Sequence, residues 1–231
     1  MIVLDRVSVA IPPLRKGDQE KVLLHDISIE LRERRIAVVG ANGSGKSTLL
    51  RLLNGLRAPS AGKVTVQGHH TVEENKLVRK LVGFVFTDPL SQLLMSTPVE
   101  DVELSLRATI RGKAERLRRA QELLAARGIG DIAHQSIYDL SGGERQLVAL
   151  TSVLAVEPKV LVADEPTTLL DLRNRSQLKK VFAELEQQVI FSTHDLDFAT
   201  LADRVLVVEG GRIVADDEPR VALDHYRNLM A

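Results

Sequence analysis

Apolar and polar residues alternate across Ile2–Ile11 and again across Lys21–Leu31, a period of two that predicts a pair of half-buried strands. Residues 12–20 between them hold proline, glycine and charge, the composition of a turn, so the chain is expected to open with a small antiparallel β element. At Arg35–Val39 the alternation gives way to an apolar run, RIAVV, which predicts a short strand of the buried type ending at Gly40. From Lys46 onward Leu49, Leu50, Leu52 and Leu53 recur at helical spacing until Asn54 and Gly55 break it. The pattern turns mainly helical between 88 and 157, with helices expected over 99–110 and 114–126 and stops at Gly128 and Gly130. Short apolar strands return at 159–163 and 189–193, and 204–214 predicts a hairpin turning at Gly210 and Gly211. The expectation is a single α/β domain: a core of residues 1–87 and 158–231, interrupted by a helical lobe at 88–157.

Length is compatible with that reading, since 231 residues fill one large α/β domain with a sizeable core. Lysine plus arginine and aspartate plus glutamate stand at 31 each, so no net field favours nucleic acid or anionic lipid, and nucleic acid is not an expected partner. The arginine-rich stretch at 111–119 also carries Glu115 and an apolar row at Ala114, Leu117 and Leu124, which reads as a solvated helix face. The absence of cysteine excludes disulfides, thiolate metal sites and a cysteine nucleophile, and fits the cytosol. No uncharged apolar run approaches the about 20 residues that span a bilayer, and the opening MIVLDRVSVA carries Asp5 and Arg6, so neither a span nor an export signal is expected. The acidic cluster 216–218 reads as a loop, and His25, His69, His70, His134 and His225 read as structural.

Chemistry concentrates in four segments. In GANGSGKST the glycines let successive N–H groups and the following helix terminus face phosphate, making Gly40, Asn42, Gly43, Ser44, Gly45, Lys46, Ser47 and Thr48 a nucleotide-binding set. Lys46 adds a point charge, and the Ser47 hydroxyl suits Mg²⁺. VLVADE delivers Asp164 and Glu165 to the end of a strand, Asp164 to hold the metal through water and Glu165 to orient or deprotonate an attacking water. Adjacent side chains on a strand point to opposite faces, so departure at Pro166 is expected to bring both carboxylates to one site. LSGGE offers the Ser141 hydroxyl and the Gly142 and Gly143 N–H groups at the start of a helix. A histidine, His194, follows an apolar strand in FSTHDL.

Along the chain the order is phosphate loop, LSGGE, VLVADE and then His194, and in that order the segments resemble ATP-binding-cassette (ABC) ATPases over nearly the whole chain. The resemblance implies a P-loop NTPase core that binds ATP and Mg²⁺, and two domains packed head to tail. Ser141, Gly142, Gly143 and Glu144 would then cap the γ-phosphate bound to the partner, and Asp171, in EPTTLLD, would lie in the loop that crosses the interface. His194 would act as the switch histidine, contacting the γ-phosphate and holding the attacking water, so that Lys46, Glu165 and His194 form the catalytic set.

Two positions depart from the family pattern. Ile11 stands near the place where an aromatic residue commonly stacks on adenine, so the base rests on an aliphatic surface or finds another ring, and weak discrimination between ATP and GTP is expected. Thr87 stands where a glutamine usually touches the metal; the threonine hydroxyl or a water replaces it, and Gln92 is assigned to the short helix that contacts the membrane subunit in relatives. The stretch around Gln92 resembles energy-coupling-factor (ECF) importers, and the short carboxyl tail resembles their biotin-type members more than cobalt, nickel or paired vitamin types. Implied partners are a second copy or a paralogous ATPase, a transmembrane coupling protein and a small substrate-binding membrane protein, at the cytoplasmic face of the membrane. A soluble cassette acting as an assembly or mechanical factor is the alternative.

Overall fold

In the computed structural model, which describes residues 1–13, 19–168 and 170–231, the chain runs through ten strands and eight α-helices among the described residues. The expected turn over 12–20 lies largely outside them. Along the chain come β1 (Ile2–Ile11), β2 (Lys21–Leu31), β3 (Arg35–Val39), α1 (Lys46–Leu53), β4 (Ala61–Val66), β5 (His69–His70), α2 (Asn75–Leu81) and β6 (Val82–Val85). Then follow α3 (Pro98–Leu106), α4 (Lys113–Ala126), α5 (Gly142–Leu154), β7 (Val160–Ala163), α6 (Leu172–Glu184) and β8 (Gln188–Ser192). The short α7 (Leu196–Ala199), the strands β9 (Arg204–Glu209) and β10 (Arg212–Asp217), and α8 (Pro219–Met230) complete it. One sheet is antiparallel, in the order β2-β1-β4-β5; the other runs β10-β9-β3-β8-β7-β6 and is parallel apart from β10.

The parallel strands of the larger sheet have apolar centres without alternation because both of their faces are covered. Ile36, Val38, Val160, Val162, Ile190 and Leu206 face the antiparallel sheet and the leucines of α1. Their neighbours Ala37, Val39, Leu161, Ala163, Phe191 and Val207 face a second core built with α3 to α8. The architecture is an α/β core in which β3 runs through the glycine-rich loop into α1. Between 88 and 157 there are α3, α4, α5 and two 3-10 turns and no strand, and these helices share their core with the parallel sheet.

Several expectations change in detail. The helix expected over 99–110 ends at Leu106, whose carbonyl accepts the Thr109 and Ile110 N–H groups and the Thr109 hydroxyl, closing the last turn ahead of two β-branched residues of low helix propensity. The acidic cluster is not a loop: Asp216 and Asp217 belong to β10, and Glu218 precedes α8. Arg204 on β9 supplies the missing charge, donating to both Asp216 carboxylate oxygens at 2.5 and 2.7 Å.

Candidate active site

The phosphate loop leaves β3 at its carboxyl end, and its glycines are demanded by space as well as by backbone angle. A Cβ on Gly40 would lie 2.1 Å from the Val208 carbonyl oxygen, and one on Gly45, at φ +115°, would lie 2.8 Å from Leu24 Cδ2. Gly43 is the opposite case, with nothing within 4 Å of a Cβ, so the loop is open on that side. Gly45 then serves as N-cap of α1, whose leucines pin the helix between the sheets.

Lys46 is 5% exposed and its Nζ folds back on the loop, donating to the carbonyls of Gly40 at 2.9 Å and Ala41 at 3.2 Å. It lies 3.2 Å from His194 Nε2 and 3.5 Å from Glu165 Oε1. Ser47 Oγ donates to Asp164 Oδ1 at 2.9 Å, and Ser192 Oγ donates to the same oxygen at 2.8 Å. Ser192 Oγ also accepts the Glu165 N–H at 2.9 Å, so one hydroxyl at the end of β8 fixes both adjacent acids. Sequence reading missed Ser192; the only local signal was its place just ahead of the threonine and histidine of FSTH.

The carboxylates share the site because the backbone turns earlier than expected. Strand β7 ends at Ala163, and Glu165 itself holds φ +50°, in the left-handed region costly for a residue with a Cβ, so the reversal precedes Pro166. Glu165 Oε2 accepts the His194 N–H at 3.1 Å, and Oε1 lies 3.1 Å from His194 Nε2. Oε1 is buried and, among the described residues, makes no aligned hydrogen bond, and the same holds for Ser44 Oγ in the loop. Glu165, Thr167, Thr168, Arg175, His194 and Asp195 line an open cavity of about 450 Å³.

These residues fit a magnesium nucleotide: a hydroxyl and a carboxylate give the hard oxygen donors Mg²⁺ takes, and Ser44 Oγ and Glu165 Oε1 retain unused capacity beside the open loop. No group of three or more His, Cys, Asp or Glu residues is clustered to hold a metal among the described residues, and a metal at Asp164 would take the Ser47 hydroxyl and nucleotide oxygens as further donors.

Other expected residues stand apart from this cluster. Ser141 caps α5: its Oγ accepts the Glu144 N–H at 3.3 Å and donates to Glu144 Oε2 at 2.7 Å, while its N–H donates to that oxygen at 2.8 Å. Neither residue bonds to Lys46, Glu165 or His194 of the same chain. Gly143 abuts α6, where a Cβ would sit 2.3 Å from Asn174 Cγ, and Asp171 caps that helix by accepting the Asn174 N–H at 2.8 Å. Asn174 was not singled out from sequence, having no motif of its own. Thr87 makes no side-chain hydrogen bond among the described residues. Gln92 ends the 3-10 turn Pro89–Ser91, and its side chain reaches back to the Phe86 N–H at 3.2 Å and the Ala149 carbonyl at 3.4 Å. Ile11, at the end of β1, is 36% exposed.

The ABC transporter family model matches residues 24–168. The biotin transport ATP-binding protein BioM of Rhizobium etli is 39% identical over 91% of this chain and 94% of its own length. The energy-coupling factor transporter ATP-binding protein EcfA1 of Lactiplantibacillus plantarum is 37% identical over 91% of this chain and 77% of its own. Among solved structures, the dimeric ATP-binding cassette MJ0796 bound to ADP and Pi superposes with a TM-score of 0.84 at 29% identity, covering 95% of this chain and 99% of that one.

Proposed function

We propose, from the premise that this chain belongs to the ABC transporter family as an ATP-hydrolysing, ATP-binding subunit, that it works as half of a head-to-tail dimer powering uptake through an ECF-type, biotin-type importer. The observation that carries the hydrolytic reading is the cluster of Lys46, Ser47, Asp164, Glu165 and His194, in which Lys46, Asp164 and Glu165 are buried and the side-chain contacts given above lie between 2.9 and 3.5 Å. Lys46 exchanges its loop carbonyls for phosphate oxygens when ATP enters. Glu165, held in place by the His194 N–H and by Ser192, accepts the proton of the attacking water, and the His194 imidazole contacts the water and the γ-phosphate. Ser47 and Asp164 would hold Mg²⁺, which when bound neutralises charge on the phosphates. Ser141 and the Gly142 and Gly143 N–H groups close the partner's site, and Asp171 lies at the interface.

Coupling falls to the helical lobe at 88–157, proposed as a subdomain that moves relative to the core of 1–87 and 158–231. Strand β6 is an edge of the parallel sheet, and with α3 and α5 it borders a groove of about 280 Å³ lined by Phe84, Gln92, Leu94, Leu104 and Val153. Leu94 is 75% exposed. Asp101, buried and pushed up by that burial, anchors the groove's rim by accepting the Leu94 and Met95 N–H groups at 2.9 Å each. This groove suits an apolar helix end of a transmembrane coupling subunit, since among the described residues no helix of this chain is long and apolar enough to cross a membrane. Similarity to BioM and EcfA1 supports the importer class. Tagged protein expressed in its host is expected to co-purify from detergent-solubilised membranes with a coupling subunit and a small substrate-binding membrane protein, and biotin uptake is expected to fail when Glu165 is replaced by Gln. Recovery of a purely soluble complex, with uptake unchanged, would support the assembly-factor alternative.

A further inference from the structure

A purine offers a flat face that gains most from an aromatic partner, yet the end of β1 contributes only the aliphatic side chain of Ile11. The chain has five phenylalanines, two tyrosines and no tryptophan. Phe182, Phe191 and Phe198 pack on one another with centroids 5.0 to 5.8 Å apart. Phe84 and Phe86 are paired at 4.8 Å, and Tyr226 packs on the helical core. Tyr138 alone among these seven rings is free: it is 73% exposed.

Its backbone is held although its ring is exposed. Arg145 on α5 donates to the Tyr138 carbonyl at 2.6 Å and to the Ile137 carbonyl at 2.8 Å, and Ile137 is buried beneath. An anchored backbone with only two side-chain torsions left to order makes an exposed tyrosine an inexpensive stacking partner. Tyr138 precedes Ser141 by three residues on the segment leading into α5, so any motion that carries Ser141 to a partner's nucleotide carries the ring with it. We infer that Tyr138 supplies, across the dimer, the aromatic face for the base of ATP held on the partner's phosphate loop, with the partner's Ile11 on the opposite side. This rests on the head-to-tail reading above, and it makes the base a contact of the closed dimer rather than of the single subunit.

The test uses the Glu165→Gln background, in which ATP-bound dimers are expected to accumulate, and compares Tyr138, Tyr138→Phe and Tyr138→Ala. The ATP concentration giving half-maximal dimer in size-exclusion chromatography is expected to rise about 10-fold for Tyr138→Ala and less than about 2-fold for Tyr138→Phe. Binding of a fluorescent ATP analogue to dilute monomer is expected to be equal in all three, and ribose 5-triphosphate, which lacks a base, is expected to erase the difference in dimerisation. Dimers that form equally well in all three variants overturn the role of Tyr138 and leave the head-to-tail reading standing; a loss confined to monomer binding also overturns it. Failure of the Tyr138 parent itself to dimerise with ATP overturns both.

Discussion

The phosphate loop at 40–48 and the LSGGE segment at 140–144 both set glycines and a serine around the start of a helix, but their serines meet different surroundings. Ser47 Oγ bonds to Asp164, which is 1% exposed and tied in turn to Ser192 on another strand, so three distant segments converge on one buried point. Ser141 Oγ bonds only within its own capping box, to Glu144, and Ser141 is the one exposed residue of its segment. The first serine belongs to a network complete within the chain. The second is satisfied by its own helix, so anything that uses its hydroxyl must come from outside and compete with Glu144.

The largest expected effect breaks the complete half. Glu165→Gln keeps the side-chain volume but removes the carboxylate 3.1 Å from His194 Nε2, and steady-state ATP hydrolysis is expected to fall at least about 100-fold while ATP-dependent dimers accumulate. Turnover at the wild-type rate would remove Glu165 from the proton-accepting role. Gly143→Ala probes the junction of the LSGGE segment with α6, where the new Cβ would stand 2.3 Å from Asn174 Cγ. A loss of about 1–3 kcal/mol in urea unfolding is expected, largely restored when Asn174 is also made Ala; no loss would show that the two helices part easily. Ser141→Ala is the mildest, removing the reciprocal cap at a cost of about 1 kcal/mol in stability. Its monomeric affinity for ATP should match wild type, measured by calorimetry, whereas weaker monomer binding would mean that LSGGE serves its own phosphate loop.

Strands such as RIAVV and VLVA were legible because burial on both faces leaves an unbroken apolar run that polar flanks make visible. By contrast 57–81 raised no expectation: β4 mixes glycine and lysine into six residues, and α2 buries only Val78, too little apolar pattern to carry a period. The acidic cluster at the end of β10 misled because its partner, Arg204, sits on the neighbouring strand. In the site, residues inside contiguous motifs were legible and isolated ones were not. Ser192 and Asn174 act through single contacts to remote segments, and Gln92 turns inward to Phe86 and Ala149 although its motif suggested only the surface role.

By itself the sequence determined which groups are available and in what local order: a loop that requires glycines, a lysine and hydroxyl beside them, and two acids at the end of an apolar strand. Such requirements are local, set by neighbouring backbone and by periodicity. The tertiary structure alone decided that Glu165 adopts a left-handed turn, that Ser192 binds both acids, and that Tyr138 is the one ring left uncovered. Those outcomes depend on which strands become neighbours and which side chains the two cores consume, and both are settled by burial summed over the whole chain.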